Sequence, residues 1–215
     1  DEEERATGII YAEPYEKKGI IDRNFKKFLS SDEDPVILSL AMTNLMQNKP
    51  VESLGVILDL INKTSNKAIV LRSLQHLSQL PYEKLDPFRK GQILACLEKL
   101  GFNGESASVR SLALKIYTKI DLTYNSSKFL LASLQDKNKR VVANTLEVLT
   151  SVEYPSASEV IYPFLNSSNP RQRANAVIAF LNSTERKNYH EDALKTLDKM
   201  LNSEDETMKI SGTFA

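Results

Sequence analysis

Apolar residues recur at steps of three and four along almost the whole chain from Asp22 onward. At 3.6 residues per turn, this spacing places them on one face of an α-helix. Strand-like alternation is absent outside the N-terminal segment, so the pattern predicts an all-α fold. The clearest stripes are Leu38/Ala41/Met42/Leu45, Leu54/Ile57/Leu58/Ile61, Val70/Leu74/Leu77, Val109/Leu112/Ala113/Ile116/Ile120, Ala174/Val177/Ile178/Leu181 and Ala193/Leu194/Leu197/Met200/Leu201.

Short polar breaks separate the stripes, and several carry helix-start signals. One of these breaks is the predicted turn at Gly101-Phe-Asn-Gly104. Asp34-Pro35 and Asn169-Pro170 each place a capping side chain before a proline. Proline is favourable at the first helical position because the N–H that it lacks would have no partner there. The breaks predict helix hairpins, whose second helices begin roughly 31–40 residues apart. These starts are expected near Pro35, Asn66, Ser106, Lys137, Pro170 and Asp205.

Pairing the helices gives six units, at about 22–48, 50–80, 86–120, 125–152, 155–182 and 188–215. The last unit matches only the first turns of a second helix, so we expect an open apolar face there and further sequence beyond Ala215. Residues 1–21 carry no helical stripe and predict an extended N-terminal arm.

One pattern is written twice in the second half of the chain. Arg140-Val-Val-Ala143-Asn144 recurs as Arg171-Gln-Arg-Ala174-Asn175. Leu134-Gln-Asp136 introduces the first copy and Leu165-Asn-Ser167 the second, while Leu201-Asn-Ser203 opens a third. Self-similarity at this spacing is typical of a solenoid built from helix pairs.

These copies, with the weaker Val109-Arg110 and Leu112-Ala113, resemble the HEAT-repeat family and in particular its short bacterial-type repeats. The resemblance covers about 130–215; over 22–125 it rests on helix periodicity alone. It implies an α-solenoid, a right-handed α-α superhelix of about six HEAT-like helix pairs whose second helices line the concave side. It also implies a scaffold or adaptor for other proteins.

Matched positions in the two copies hold Ala143 and Ala174, followed by Asn144 and Asn175. We interpret all four as structural repeat positions. Two roles stay open for the amides. They could bond the carbonyls of the preceding turn and so satisfy buried backbone groups, or they could contact a ligand directly.

Five cations gather near the starts of two adjacent second helices: Lys137, Lys139, Arg140, Arg171 and Arg173. One interpretation is a structural ladder, in which Arg140 or Arg171 pairs with Asp136 or another turn acid. The other is a basic strip along one rim that binds a partner, suited to an acidic peptide or a phosphate. Arg173 has no acid nearby in sequence.

Charge and composition limit the chemistry. The 28 basic and 28 acidic residues cancel, which argues against a general nucleic-acid binder. Cys96, the only cysteine, falls on an apolar stripe and is expected to be a buried, inert thiol. His76 and His190 do not form a metal-ligand or catalytic pattern, and no Gly-rich phosphate loop is present. We therefore expect no catalytic residues, no metal and no cofactor.

The leading hypothesis is a non-catalytic protein-binding scaffold that is not an enzyme, with partners of unknown identity. No apolar run approaches the roughly 20 residues of a membrane span, and we expect no membrane insertion and a cytoplasmic location. One alternative is a regulatory or spacer domain attached to a catalytic, transport or sensor domain beyond Ala215. A less favoured one is a DNA-binding protein or glycosylase of the HEAT-like kind, which would need an excess of positive charge.

Overall fold

The computed structural model describes residues 34–48, 50–120, 126–150 and 157–215. Within these ranges the chain is helical and contains no strand, so the predicted all-α class is confirmed for this part. The predicted N-terminal arm (1–21) and the first helix of the first unit (22–33) lie outside the described residues.

Eleven α-helices and three 3₁₀ segments make up the described part of the chain. The α-helices are α1 Pro35–Asn48, α2 Leu54–Lys63, α3 Lys67–Leu77, α4 Pro87–Asn103, α5 Ala107–Ile120, α6 Ser126–Ser133, α7 Lys139–Leu149, α8 Ala157–Ile161, α9 Pro170–Leu181, α10 His190–Leu201 and α11 Glu206–Thr213. The 3₁₀ segments are Tyr82–Lys84, Tyr162–Asn166 and Thr184–Tyr189.

Helices α1, α3, α5, α7, α9 and α11 begin within two residues of the predicted second-helix starts. Side-chain caps explain most of this agreement. Asn66, Asn138, Asn169 and Asp205 each accept a hydrogen bond from a backbone N–H in the first turn of the helix that follows. Such caps satisfy N–H groups that have no partner inside the helix.

The described chain divides into two compact units, called here unit 1 (to Leu100) and unit 2 (from Gly101). In unit 1, α3 packs against both α1 and α2. The stripe predicted for α1 is buried here and joins residues of the other two helices in one apolar cluster. Its members are Ile37, Leu38, Ala41, Met42, Leu45, Leu60 and Ile69.

In unit 2, α5, α7, α9 and α11 pack one against the next. The fifth residue of each helix shows how this packing works. It is Ser111 in α5, Ala143 in α7 and Ala174 in α9, and each is at most 5% exposed. Small side chains at this position let neighbouring helices approach closely. The two alanines therefore lie at packing positions between neighbouring helices.

The equivalent fifth residue of α11 is Ile210, which is 57% exposed. Phe214, near the end of this helix, is 80% exposed, and Leu194 and Leu201 of α10 are also exposed. The stripe predicted on α10 is thus only partly buried, through Ala193 and Met200. No described helix covers this face of α10 and α11.

A turn predicted at Gly101–Gly104 is wrong in its first residues, because α4 continues to Asn103. Gly101 is required inside this helix by close packing. A side chain at this position would overlap the ring of Phe129 in α6. Phe129 is buried and also stacks against Phe102 and Tyr117, with ring centroids 5.1 Å and 4.8 Å apart.

The packing in unit 2 predicts that Val177→Asp, at a fully buried position of α9, lowers the free energy of unfolding by more than about 3 kcal/mol. The new carboxylate would lie between helices without a partner. Thermal and urea denaturation followed by circular dichroism measure the effect.

Leu194→Asp is the matched control, because Leu194 is 54% exposed and its replacement should cost little. Similar losses in the two variants would contradict the assigned faces.

Candidate functional site

The polar side chains between the second helices of unit 2 form the most informative set of contacts in the described structure. Arg110 of α5 is buried and binds the carboxylate of Asp136 through two hydrogen bonds, of 2.6 Å from Nε and 2.9 Å from Nη2. Its Nη1 donates to the carbonyls of Gly104 and Glu105. Asp136 lies in the turn before α7, so this ion pair joins α5 to that turn.

One of the two interpretations paired Arg140 or Arg171 with Asp136 or another turn acid, and in the structure Asp136 binds Arg110 instead. Arg110 is the fourth residue of its helix, where a long side chain reaches back over its own turn and across to the next one. Arg140 is only the second residue of α7 and is exposed. The arginine that binds Asp136 is therefore the one placed a full turn into its helix, not the one nearest in sequence.

The pair also changes the acidity of Asp136. Burial alone would raise its pKa, but hydrogen bonds from Arg110 and from the N–H of Asn138, together with the charges of Arg110 and Lys137, outweigh burial. The pKa of Asp136 therefore lies below its ordinary value. The carboxylate stays charged at neutral pH and holds the guanidinium in place.

Asn144 is buried in the seam between α5 and α7. Its amide nitrogen donates to the hydroxyl of Ser111, and its Oδ1 accepts a 2.8 Å hydrogen bond from Arg171 of α9. One amide therefore links three consecutive second helices.

Asn175 occupies the matched position in α9 and donates to the carbonyl of Ala143 in α7, at 2.6 Å. One interpretation required each amide to bond carbonyls of its own preceding turn. In these contacts both amides bond groups on neighbouring helices instead. The reason is position: the sixth residue of each helix is more than a turn from its start and faces the neighbouring helix. The contacts of both asparagines are structural.

Two of the five predicted partner-binding cations have intramolecular contacts. Arg171 binds Glu147 of α7 at 3.1 Å, in addition to Asn144, and remains about half exposed. Arg173 donates from Nε to the carbonyl of Ser167, six residues earlier, at 2.8 Å. Arg173 thus repeats the contact that Arg110 makes with Gly104 and stabilises its own turn.

The other three cations, Lys137, Lys139 and Arg140, are exposed at the start of α7. Lys137 lines a shallow groove of about 480 Å³ beside Phe102 and the Arg110–Asp136 pair. These side chains are the part of the predicted basic strip that is exposed to solvent.

Arg186 was not singled out by the sequence reading. It lies in the Thr184–Tyr189 segment, is 6% exposed, and donates to the carbonyls of Leu149 and Ala179 near the ends of α7 and α9. A cation is favourable at a helix C-terminus, where carbonyls lack helical partners. An arginine shortly after a helix end is the signal that could have identified it.

Buried ionisable groups also occur in unit 1. Cys96 is buried, and burial raises its pKa to about 11 against the opposing effect of Lys99, so the thiol is protonated and inert, as expected. His76 of α3 is 7% exposed, and its Nε2 has no hydrogen-bond partner among the described residues. Burial lowers the pKa of His76, and the charge of Arg72 lowers it further.

The described residues contain no group of three or more His, Cys, Asp or Glu side chains arranged to hold a metal ion. In the same part of the chain, every helix is too short or too polar to cross a bilayer.

The fold is similar to that of solved helical proteins. The X-ray structure of the Escherichia coli protein YibA matches with a TM-score of 0.61 and 15% identity, over 94% of this chain and 72% of YibA. An engineered protein matches with a TM-score of 0.54 and 16% identity, over 88% of this chain and 92% of its own length. A second engineered protein matches with a TM-score of 0.55 and 18% identity, over 99% of this chain and 63% of its own length. No protein-family model and no curated protein sequence matches this chain.

The Arg110–Asp136 pair, with side chains only 8% and 10% exposed, predicts that Asp136→Asn lowers the free energy of unfolding by about 3 kcal/mol. The substitution would leave a buried guanidinium without its counter-charge. Urea denaturation at pH 7 measures the loss.

Glu147→Gln is the matched control, because Glu147 and its partners Lys115 and Arg171 are all about half exposed and should contribute less than about 1 kcal/mol. Equal, small losses in the two variants would contradict a buried pair.

His76 predicts a loss of stability on mild acidification. Its pKa in the folded chain lies below the ordinary 6.5, so the unfolded chain binds the proton more readily between these two values. The free energy of unfolding should therefore fall as the pH drops below about 6.5. Denaturation between pH 5 and 8 measures this slope, which His76→Leu should reduce. An unchanged slope in His76→Leu would refute the assignment.

Proposed function

We propose that this chain is a non-catalytic scaffold that binds other proteins through the exposed surface of its second helices. The finer architecture belongs to the same proposal: a right-handed stack of about six HEAT-like helix pairs. The regular starts of α1, α3, α5, α7, α9 and α11 support it, as does the side-by-side packing of the last four.

The observation that carries the proposal is a row of charged side chains across three adjacent helices. Lys115 of α5 binds Glu147 of α7 at 3.2 Å, and Arg171 of α9 binds the other oxygen of Glu147 at 3.1 Å. All three remain about half exposed. Their mutual contacts and the bond from Arg171 to Asn144 restrict their conformations before a partner arrives, which lowers the entropy lost on binding.

Lys137, Lys139 and Arg140 extend this surface with positive charge that is open to solvent. Charge of one sign on a rim selects partners of opposite charge and accelerates their association. A partner with an acidic surface fits these residues best. A cytoplasmic location remains part of the proposal.

The test is affinity capture of interacting proteins from the source cells, using the full chain as bait and quantitative mass spectrometry as readout. We expect the wild-type chain to retain specific proteins that a Lys139→Glu/Arg140→Glu variant loses. Circular dichroism should show that this variant is folded, since both side chains are exposed. Arg173→Glu is a poor probe, because Arg173 supports its own turn.

A Lys199→Glu/Lys209→Glu variant is the matched control, because it reverses two exposed charges on α10 and α11. Its captured proteins should equal those of the wild type. If no protein is enriched in repeated experiments, a binding role is contradicted and a spacer role is favoured.

A further inference from the structure

A groove runs along the contact between α1 and α3 in unit 1. It has two connected parts, of about 360 Å³ and 620 Å³, which share Arg72 and Gln75. Its base is apolar and includes Met42, Met46 and Ile69, all buried. The groove therefore lies over packed residues of the unit 1 core.

Polar side chains line the groove on the α1 side at a regular spacing. Ser39, Thr43 and Gln47 follow each other at intervals of four residues and so form one row. The row spans about 12 Å of helix, which matches three to four residues of an extended peptide.

The α3 side carries a second row. It contains Arg72 and Gln75 in the helix and Gln79 just after its end. A carboxamide offers both a donor and an acceptor. Glutamines that face each other across a groove can therefore hydrogen-bond the alternating N–H and C=O groups of an extended chain.

Arg72 gives the groove its charge. Its guanidinium donates to the hydroxyl of Thr43 at 3.2 Å and to the amide oxygen of Gln75 at 3.4 Å, both neutral groups at long distances. No aspartate or glutamate is among the described residues that line either part of the groove. A carboxylate supplied from outside would complete the shorter, bidentate bonds that arginine forms best.

In unit 2, amide side chains cross the corresponding contacts between helices. Asn144 and Asn175 cross directly to the neighbouring helix, and Arg171 covers Asn144. The α1–α3 contact is crossed instead by the long hydrogen bond from Arg72 to Thr43, which a stronger bond from Arg72 to a carboxylate could replace.

We infer that the α1–α3 groove binds an extended peptide segment of a partner protein, with an aspartate or glutamate side chain of that segment paired to Arg72. The inference rests on the proposed scaffold function and names a second, separate contact surface with its own ligand chemistry.

A random heptapeptide library displayed on phage, selected on the immobilised full chain, tests the inference. We expect enrichment of peptides that contain Asp or Glu. Synthetic copies of the selected peptides, measured by fluorescence anisotropy, should bind Arg72→Gln at least about tenfold more weakly than the wild type. Arg72→Glu should weaken acidic peptides further and should favour peptides that contain Lys or Arg in a repeated selection.

Lys209→Glu, an exposed charge reversal on α11, should bind the selected peptides like the wild type. Selection of no peptide, selection without acidic residues, or binding that survives Arg72→Glu would each overturn the inference. Binding that survives Arg72→Glu but is lost in Lys139→Glu/Arg140→Glu would overturn the groove while supporting the proposed scaffold function.

Discussion

Helices can pack side by side at close distance only if the polar groups trapped between them are paired, and this requirement governs unit 2. The buried Arg110 is neutralised by Asp136 in the next turn and by two carbonyls of its own. Small residues at the fifth helical position allow the close approach, and the asparagine that follows in α7 and α9 bonds across the seam. A buried polar group left unpaired would cost more free energy than one such hydrogen bond contributes, net, to stability.

The same requirement separates structural residues from those available for binding. Arg110, Arg173 and Arg186 are committed to backbone carbonyls or to a buried acid. Lys139 and Arg140 are exposed at the start of α7, and the partners of Arg72 among the described residues, Thr43 and Gln75, are neutral. Residue type alone does not distinguish these two sets of side chains, because both include arginine. In α5, α7 and α9 the position within the helix is informative. Arg110 and Arg173, at the fourth position, reach carbonyls of their own turn, whereas Arg140, at the second position, is exposed.

Much of the fold was accessible from the sequence because it is encoded locally. Apolar spacing predicted the helical class, and capping residues such as Asn66 and Asn169 predicted helix starts. The partners of polar side chains were not accessible. Asp136 binds an arginine 26 residues earlier, and Asn175 bonds a carbonyl in another helix. Such contacts depend on how neighbouring helices are offset. Gly101 was read as a turn signal because its close contact with Phe129 is also a tertiary feature.

The most direct test of this account is a double-mutant cycle on unfolding free energy, with Arg110→Ala and Asp136→Ala as the two changes. We predict a coupling energy of at least about 1 kcal/mol between these positions. The parallel cycle with Arg140→Ala in place of Arg110→Ala should give a coupling near zero. Coupling of Asp136 to Arg140 but not to Arg110 would contradict the pairing on which the described packing of unit 2 rests.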